Sequence, residues 1–320
     1  MTRPLALLLL AACTTTEIVT DRHACPGDVT TSSSTGDPPA APDLAAPDLP
    51  HDDCPTISDG DVTIGTRTVR VIGSSSATGT GPLVYYWHGT YQTPDLVLAQ
   101  DSGVAALLDV VTREGGVLVL PHADPAAVAR PNTPLPWWSV CGADQIECDR
   151  DDDYILAETV TTCALAQGLA DPDRVVSTGL SAGAIFSSQL ATRVDWLAGI
   201  VSWSGGMPYS SEWVPASTGV SVLALHGGPT DVYCGAGSGP SCYAFRSPTE
   251  SLALDAVASG VQTILCDHAS GHSGAMGSQG AEWSAAVRRG APYAGPPFGP
   301  WGAWMLSNYC YTPGEPSPWD

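Results

Sequence analysis

The chain contains no lysine, so its 12 basic residues are all arginine. They stand against 33 acidic residues and leave a formal net charge of −21 in a chain of 320 residues. A nucleic-acid-binding protein has to neutralise phosphates with clustered basic side chains. The composition therefore excludes nucleic acid as an expected partner.

Spacings of cysteine and histidine typical of zinc sites are also missing, and we expect no cofactor. The acidic run DRDDD at residues 149–153 lacks the alternating ligands of a calcium loop. Carboxylates placed just before Tyr154 instead favour a helix N-terminus, where they interact well with the helix dipole.

The N-terminus has only a short apolar run, LALLLL at residues 5–10, behind one positive charge at Arg3. A helix needs about 20 apolar residues to cross a bilayer, so this run is typical of an export signal. The LAAC at residues 10–13 resembles the lipobox of bacterial lipoproteins. We predict a signal peptide over 1–12, lipidation of Cys13 as the only membrane attachment, and an outer-membrane or cell-surface location. Ordinary secretion is the alternative.

Residues 13–55 are rich in Thr, Ser, Pro, Asp and Ala, and APDL occurs twice, at 41–44 and 46–49. Such a segment buries too little apolar area to offset its ordering entropy, which predicts a disordered tether. The remaining residues, 56–320, have the length of one large domain.

Apolar strand patterns alternate with helical patterns through this domain. An initial hairpin is predicted at 62–64 and 68–72. The later strands are predicted at 83–87, 117–121, 175–178, 198–203, 221–225 and 261–266, and the helices near 95–113, 153–168, 182–194, 249–259 and 279–289. This alternation predicts an α/β fold in which helices cover both faces of a mostly parallel sheet.

The sharpest motif is GLSAG at residues 179–183, which follows a β-branched run and precedes a helix-compatible stretch. G-x-S-x-G between a strand and a helix is the pattern of a nucleophile elbow. Glycines flank the serine because the turn is too tight for a Cβ, and the strained turn exposes the hydroxyl. Ser181 is therefore the predicted nucleophile.

A serine nucleophile needs a base and an orienting acid, which should follow it in the order acid, then histidine. The strand at 221–225 leads into a loop that ends at Asp231, and the strand at 261–266 leads into a loop that ends at His272. Active-site groups of α/β sheets gather at the carboxyl ends of the strands. We assign Asp231 as the acid and His272 as the base.

Both assignments have rivals close by. His268 lies directly after the last strand, which leaves it less loop to reach Ser181 than His272 has. Asp267 is an alternative acid, although a loop aspartate is more often a solvated turn residue. His88 and His226 are expected to shape their loops.

The oxyanion of acyl transfer must meet preorganised N–H donors. The elbow supplies one, the amide of Ala182. The strand at 83–87 is followed by His88 and Gly89, and this loop offers the amide of Thr90 as the second donor.

These motifs together resemble the α/β-hydrolases of the polyhydroxybutyrate depolymerase, feruloyl esterase and acetylxylan esterase group. The resemblance covers roughly residues 60–290 in order. The matching segments are WHGTYQT at 87–93, GVLVLPHAD at 116–124, WW at 137–138, DDYI at 152–155, DPDRV at 171–175, TGLSAG at 178–183 and GH at 271–272.

The resemblance implies an α/β-hydrolase fold and a serine esterase. Its substrate would be a carboxylic ester of the polyester, feruloyl or acetyl-polysaccharide type, and a polymeric substrate fits this group. The alternatives are a serine peptidase, since the same triad cleaves amides, and an inactive surface binding protein on a hydrolase scaffold. Trp137, Trp138 and Trp203 are assigned to the substrate rim; core packing of the Trp137–Trp138 pair is the alternative.

Ten cysteines in an exported protein predict disulfides. Lipidation of Cys13 would leave an odd number. Short spacing favours the pairs Cys141–Cys148 and Cys234–Cys242. A Cys266–Cys310 bond would join the C-terminal segment to the last strand, and a Cys25–Cys54 bond would close a loop in the tether, with Cys163 left as a buried thiol. Other pairings stay open at the level of the sequence.

Overall fold

The computed structural model describes residues 54–125, 138–140, 152–207, 212–234, 242–291, 309–311 and 313–318. Contacts divide the chain into two units, 1–40 and 41–320, and every described residue belongs to the second. The predicted signal peptide, Cys13 and the tether up to residue 53 lie outside the described residues. Within the described ranges, no helix combines the length and apolar character needed to cross a membrane.

The longer strands lie close to the predicted positions along the chain. They are β1 (Gly60–Ile64), β2 (Arg67–Ile72), β3 (Leu83–Trp87), β4 (Val117–Pro121), β5 (Val175–Leu180), β6 (Gly199–Trp203), β7 (Ser221–His226), β8 (Val232–Tyr233), β9 (Tyr243–Ala244), β10 (Gln262–Asp267) and β11 (Cys310–Tyr311). The two-residue strands β8, β9 and β11 are not predicted from the sequence, because they are too short to show a periodic pattern.

The helices of the described residues are α1 (Pro94–Gln100), α2 (Ser102–Arg113), α3 (Asp152–Ala166), α4 (Ala182–Leu190), α5 (Arg246–Ala258) and α6 (Gly277–Ala286). The single helix predicted over 95–113 is wrong, because the chain is extended at Asp101. Its carboxylate Oδ1 accepts hydrogen bonds from the amides of Gly103, at 2.8 Å, and Val104, at 3.3 Å. This cap starts α2 as a new helix.

The main sheet has nine strands in the order β1-β2-β4-β3-β5-β6-β7-β10-β11. Strands β4, β3, β5, β6, β7 and β10 are parallel, while β1, β2 and β11 pair antiparallel at the edges. Strands β3, β4, β6 and β7 are buried along their full length, which explains their largely apolar sequences. The predicted α/β architecture is confirmed.

Successive residues of β3 enter two different cores, one on each face of the sheet. Tyr85 and Trp87 join the core that contains α3, α4 and α5. Val84 and Tyr86 join the core formed with α2 and α6. Because both faces are covered, polar groups of the sheet meet solvent mainly at its edges and at the ends of its strands.

Two of the predicted disulfides, Cys234–Cys242 and Cys266–Cys310, are confirmed. Cys141, Cys148 and Cys25 lie outside the described residues. The predicted Cys25–Cys54 pair is wrong, and so is the free thiol at Cys163, because Cys54 is bonded to Cys163 across 109 residues.

The reason for this pairing is that the chain around Cys54 lies against the end of helix α3. The amide of Ile57 donates to Gln167 Oε1, and Gln167 Nε2 donates to the carbonyl of Pro55, both at 2.9 Å. The folded domain therefore begins no later than Cys54, two residues before the predicted boundary at residue 56.

The acidic residues before Tyr154 begin helix α3, as predicted. Asp153 is fully buried, 2.6 Å from the guanidinium of Arg67, and accepts the amide hydrogen of Ser139 at 2.6 Å. Arg67 also pairs with Asp152 at 2.9 Å. These carboxylates tie the helix N-terminus to strand β2.

Candidate active site

Strand β5 ends at a turn in which Ser181 has φ 57° and ψ −119°, a conformation that is strained for a residue with a side chain. Helix α4 begins at the next residue. A Cβ on Gly183 would lie 1.8 Å from the carbonyl oxygen of Trp87, and one on Gly179 would lie 2.4 Å from the carbonyl carbon of Gly183. Glycine is required at both positions, so the motif forms the elbow that the sequence predicts.

Asp231 and His272 meet beside this edge of the sheet. Their atoms Oδ1 and Nδ1 lie 2.8 Å apart. Asp231 is 1% exposed, and its second oxygen accepts the amide hydrogen of Gly227 at 2.9 Å. The amide of Gly271 donates to the carbonyl of Gly227 at 3.1 Å, which ties the loop after β10 to the loop after β7. The histidine is thus oriented through Nδ1, which leaves Nε2 for chemistry.

The three residues follow β5, β7 and β10 at the carboxyl edge of one run of parallel strands. The amide of Ser181 donates to the carbonyl of Trp203 at the end of β6, at 2.9 Å. The fold therefore places the predicted nucleophile, acid and base at one end of the sheet.

The loop after β3 reaches the same place. A Cβ on Gly89 would lie 3.5 Å from the Cβ of Ser181. Residues 89–92 form a turn in which the amide of Gln92 donates to the carbonyl of Gly89, at 3.1 Å, and Gln92 Oε1 accepts the Gly89 amide hydrogen, at 2.8 Å. Thr90 lies inside this turn. Ala182 is the first residue of α4, where amides have no acceptor within the helix.

The alternative acid, Asp267, and the alternative base, His268, form hydrogen bonds with other residues. Asp267 is fully buried and accepts hydrogen bonds at 2.8 Å from the amide of Ala269 and the hydroxyl of Ser317. His268 is buried, its Nδ1 accepts the amide hydrogen of Ser270 at 3.2 Å, and burial lowers its pKa. Both side chains stabilise the start of the loop that carries His272.

His226 connects the acid loop to the C-terminal strand. Its Nδ1 accepts the amide hydrogen of Gly228 at 3.1 Å, so Nε2 carries the proton and donates to the hydroxyl of Tyr311 at 2.8 Å. Tyr311 donates in turn to Glu250 at 3.1 Å. Burial lowers the pKa of His226 and raises that of Tyr311. This histidine shapes its loop, as expected.

His88 stabilises the turn at residues 89–92 through a hydrogen bond to the carbonyl of Gly89. Its Nδ1 lies 2.9 Å from the carbonyl oxygen of Gly89 and therefore carries the proton. The carbonyl of His88 accepts the indole hydrogen of Trp138 at 2.9 Å. Burial lowers the pKa of His88 to about 4.

Acid should therefore destabilise the fold through His88. An unfolded histidine has a pKa of about 6.5, so the unfolded chain binds the extra proton first as the pH falls. The stabilisation is fully present above pH 6.5 and is lost as the pH falls towards about 4. Between pH 7 and pH 4.5 we expect a loss of about 2–3 kcal/mol from this residue. In His88→Gln, the free energy of unfolding measured in urea should fall by correspondingly less over the same pH range, because glutamine supplies an N–H donor but does not titrate. An equal fall in the wild type and the variant would show that His88 does not cause the loss.

Two of the three predicted rim tryptophans, Trp138 and Trp203, are core residues. Trp138 is 0% exposed and packs edge-on against Trp87 at 5.0 Å, while Trp203 is 3% exposed. Their rim assignment is wrong, because the Trp138 indole finds its hydrogen-bond partner inside the domain and both rings fill the cores. Trp137 lies outside the described residues. Tyr91, at the tip of the turn near the elbow, is an aromatic residue that is 59% exposed.

Two aromatic residues that the sequence motifs do not single out, Phe245 and Tyr233, lie around His272. Phe245 stacks on the imidazole with ring centroids 4.3 Å apart, and the Tyr233 ring lies 6.2 Å away. Both flank the closely spaced Cys234 and Cys242, but no motif singles them out. Beside the site is a cleft of about 460 Å³, lined by Gln92, Gln100, Asp101, Ser102, Ser273 and Gly274 among others.

Comparisons with known proteins agree with this architecture. No family model matches the chain, and no curated protein matches it in sequence. Among solved structures, native sOPH is 19% identical with a TM-score of 0.58 and covers 75% of this chain and 92% of its own. Native pOPH is 16% identical with a TM-score of 0.57 and covers 74% and 91%. With the strand order above, the chain has the α/β-hydrolase fold.

Among the described residues, no group of three or more His, Cys, Asp or Glu side chains is arranged to hold a metal ion.

Proposed function

We propose that the protein is a serine esterase in which Ser181 is the nucleophile, His272 the base and Asp231 the orienting acid. The observation that carries this proposal is the 2.8 Å contact between Asp231 and His272 Nδ1 at the sheet edge that also bears the strained Ser181. A buried carboxylate on Nδ1 fixes the tautomer whose Nε2 accepts a proton.

In the proposed reaction, Ser181 Oγ attacks the carbonyl carbon of the ester while His272 Nε2 takes the hydroxyl proton. The buried carboxylate of Asp231 stabilises the imidazolium that forms. Collapse of the tetrahedral intermediate breaks the bond to the alcohol oxygen, which receives the proton from His272. Water then repeats these steps on the acyl-enzyme and releases the acid.

The negative charge of the intermediate would meet the amides of Ala182 and Thr90. The support for this assignment is that Ala182 opens α4 and Thr90 lies in the turn packed against Ser181. Donors fixed by a helix start and a hydrogen-bonded turn need little reorganisation, which is what oxyanion stabilisation requires.

We place the substrate among carboxylic esters of the polyester, feruloyl or acetyl-polysaccharide type, including polymeric ones. The support is the resemblance of residues 60–290 and the polar cleft beside the site. We further propose that Cys13 carries lipid and holds the enzyme in the cell envelope, on the outer membrane or cell surface, with secretion as the alternative. These proposals rest on the LAAC motif.

A panel of acetyl, feruloyl and hydroxybutyrate esters, together with a peptide amide, tests the function. We expect turnover of at least one ester and covalent labelling of Ser181 by a serine-directed phosphonate, located by peptide mass mapping. Cleavage of the amide alone would make the protein a peptidase. If the protein shows neither turnover nor labelling, the esterase proposal fails and the inactive binding protein takes its place.

A further inference from the structure

A small hairpin begins at the proposed catalytic acid. The amide of Phe245 donates to the carbonyl of Asp231 at 2.9 Å, which makes this pair the first rung. The next rungs are Val232 opposite Ala244, Tyr233 opposite Tyr243, and the Cys234–Cys242 disulfide. The disulfide thus closes the same ladder that Asp231 opens.

The ring of Phe245 lies on the imidazole of His272. Their centroids are 4.3 Å apart and their planes are inclined by only 21°. Phe245 is 3% exposed, and Tyr243 packs edge-on against it at 4.7 Å. The imidazole is therefore held twice: Asp231 binds its Nδ1 edge, and Phe245 covers one of its faces.

These two restraints act on different motions. A hydrogen bond at Nδ1 fixes one edge of the ring but leaves rotation about the line of that bond. A flat ring stacked on the imidazole opposes this rotation, because tilting would drive one ring into the other. Catalytic groups have to be held within about 10–20° of their productive orientation. A base with a free face would spend less time aimed at the Ser181 hydroxyl.

We propose that Phe245 is a positioning residue for His272, and that the Cys234–Cys242 bond serves the reaction by closing the hairpin that holds Phe245 in place. The proposal rests on the proposed esterase function. Phe245 also belongs to the apolar core with Leu252, so ordinary core packing predicts a loss of stability alone.

Phe245→Leu separates the two roles, because it keeps an apolar side chain but removes the flat ring. We expect kcat for the best ester of the panel to fall between about tenfold and a hundredfold, with KM changed less than about twofold. Phosphonate labelling of Ser181 should slow in parallel. The matched control is Leu252→Ala on helix α5, which removes buried volume from the same core and should lower the melting temperature while leaving kcat unchanged.

The role of the Cys234–Cys242 disulfide is tested by comparing two double variants, each of which removes one disulfide. Cys234→Ser with Cys242→Ser should lower kcat in the same direction as Phe245→Leu. Cys54→Ser with Cys163→Ser, a bridge at the far end of helix α3, should lower the melting temperature and spare kcat. Equal kcat in both double variants would refute the role of the Cys234–Cys242 bond.

An NMR measurement tests the stacking without any turnover. The ring protons of His272 in the wild type should be shifted upfield by the Phe245 ring current, and Phe245→Leu should remove the shift. An unshifted wild-type signal, or an unchanged kcat in folded Phe245→Leu, would overturn the proposal.

If Phe245→Leu does not fold, the proposal is tested by the His272 shift in the wild type and by the kcat of the Cys234→Ser, Cys242→Ser double variant. A shifted signal without ester turnover or phosphonate labelling would refute the esterase instead, and with it the catalytic role of Phe245.

Discussion

Ser181→Ala should abolish ester hydrolysis, with a fall in kcat of roughly four orders of magnitude or more, while the protein keeps its fold. The substitution removes one hydroxyl at the turn, where Ser181 is 6% exposed, and creates no cavity in either core. Initial rates on the best ester of the panel measure the effect. Circular dichroism and the melting temperature show whether the variant is folded.

The neighbouring residues provide the controls. His272→Ala should be about as severe as Ser181→Ala, and Asp231→Asn somewhat less so, because triad members act as a unit and their losses are not additive. His268→Ala, four residues from the proposed base, should retain most activity. If His268→Ala is inactive and His272→Ala is active, the base is misassigned although the serine mechanism stands.

The succession of strands along the chain and the meeting of Ser181, Asp231 and His272 at one end of the sheet were predictable from the sequence, because each rests on a local pattern. Strands buried on both faces appear as continuous apolar runs, and VLVL at 117–120 is an example. The elbow is equally local, since glycine at 179 and 183 is required by backbone atoms a few residues or one strand away. The break at Asp101 was missed because a helix-compatible sequence continues across it and only the side-chain cap divides it.

Contacts between residues far apart in the chain produce no comparable pattern in the sequence. The bond from Cys54 to Cys163 depends on how the first described segment packs on helix α3, and spacing alone pointed to a closer partner. Trp138 faces inward because a carbonyl of His88 is available there, and no pattern in the sequence shows that carbonyl. The stacking of Phe245 on His272 joins two loops and is visible only once both are folded.

Gly183→Ala should have the largest effect on folding, because its Cβ would lie 1.8 Å from the carbonyl oxygen and 2.4 Å from the carbonyl carbon of Trp87. Both are backbone atoms of a central strand that pairs with β4 and β5, so neither can move without breaking sheet hydrogen bonds. We expect a loss of more than about 4 kcal/mol in the free energy of unfolding, measured as insoluble expression or a strongly lowered melting temperature.

Gly168→Ala is the matched control for this prediction. Gly168 has φ 68° and nothing within 4 Å of its Cβ position, so alanine there adds strain without a collision. Its cost should be about 1–2 kcal/mol, and the variant should stay folded and active. If Gly183→Ala is as stable as Gly168→Ala, helix α4 can move away from strand β3. In that case the close contact between helix α4 and strand β3 would not explain why residue 183 is glycine. The activity that such a variant retains would show how far the elbow can be displaced without loss of function.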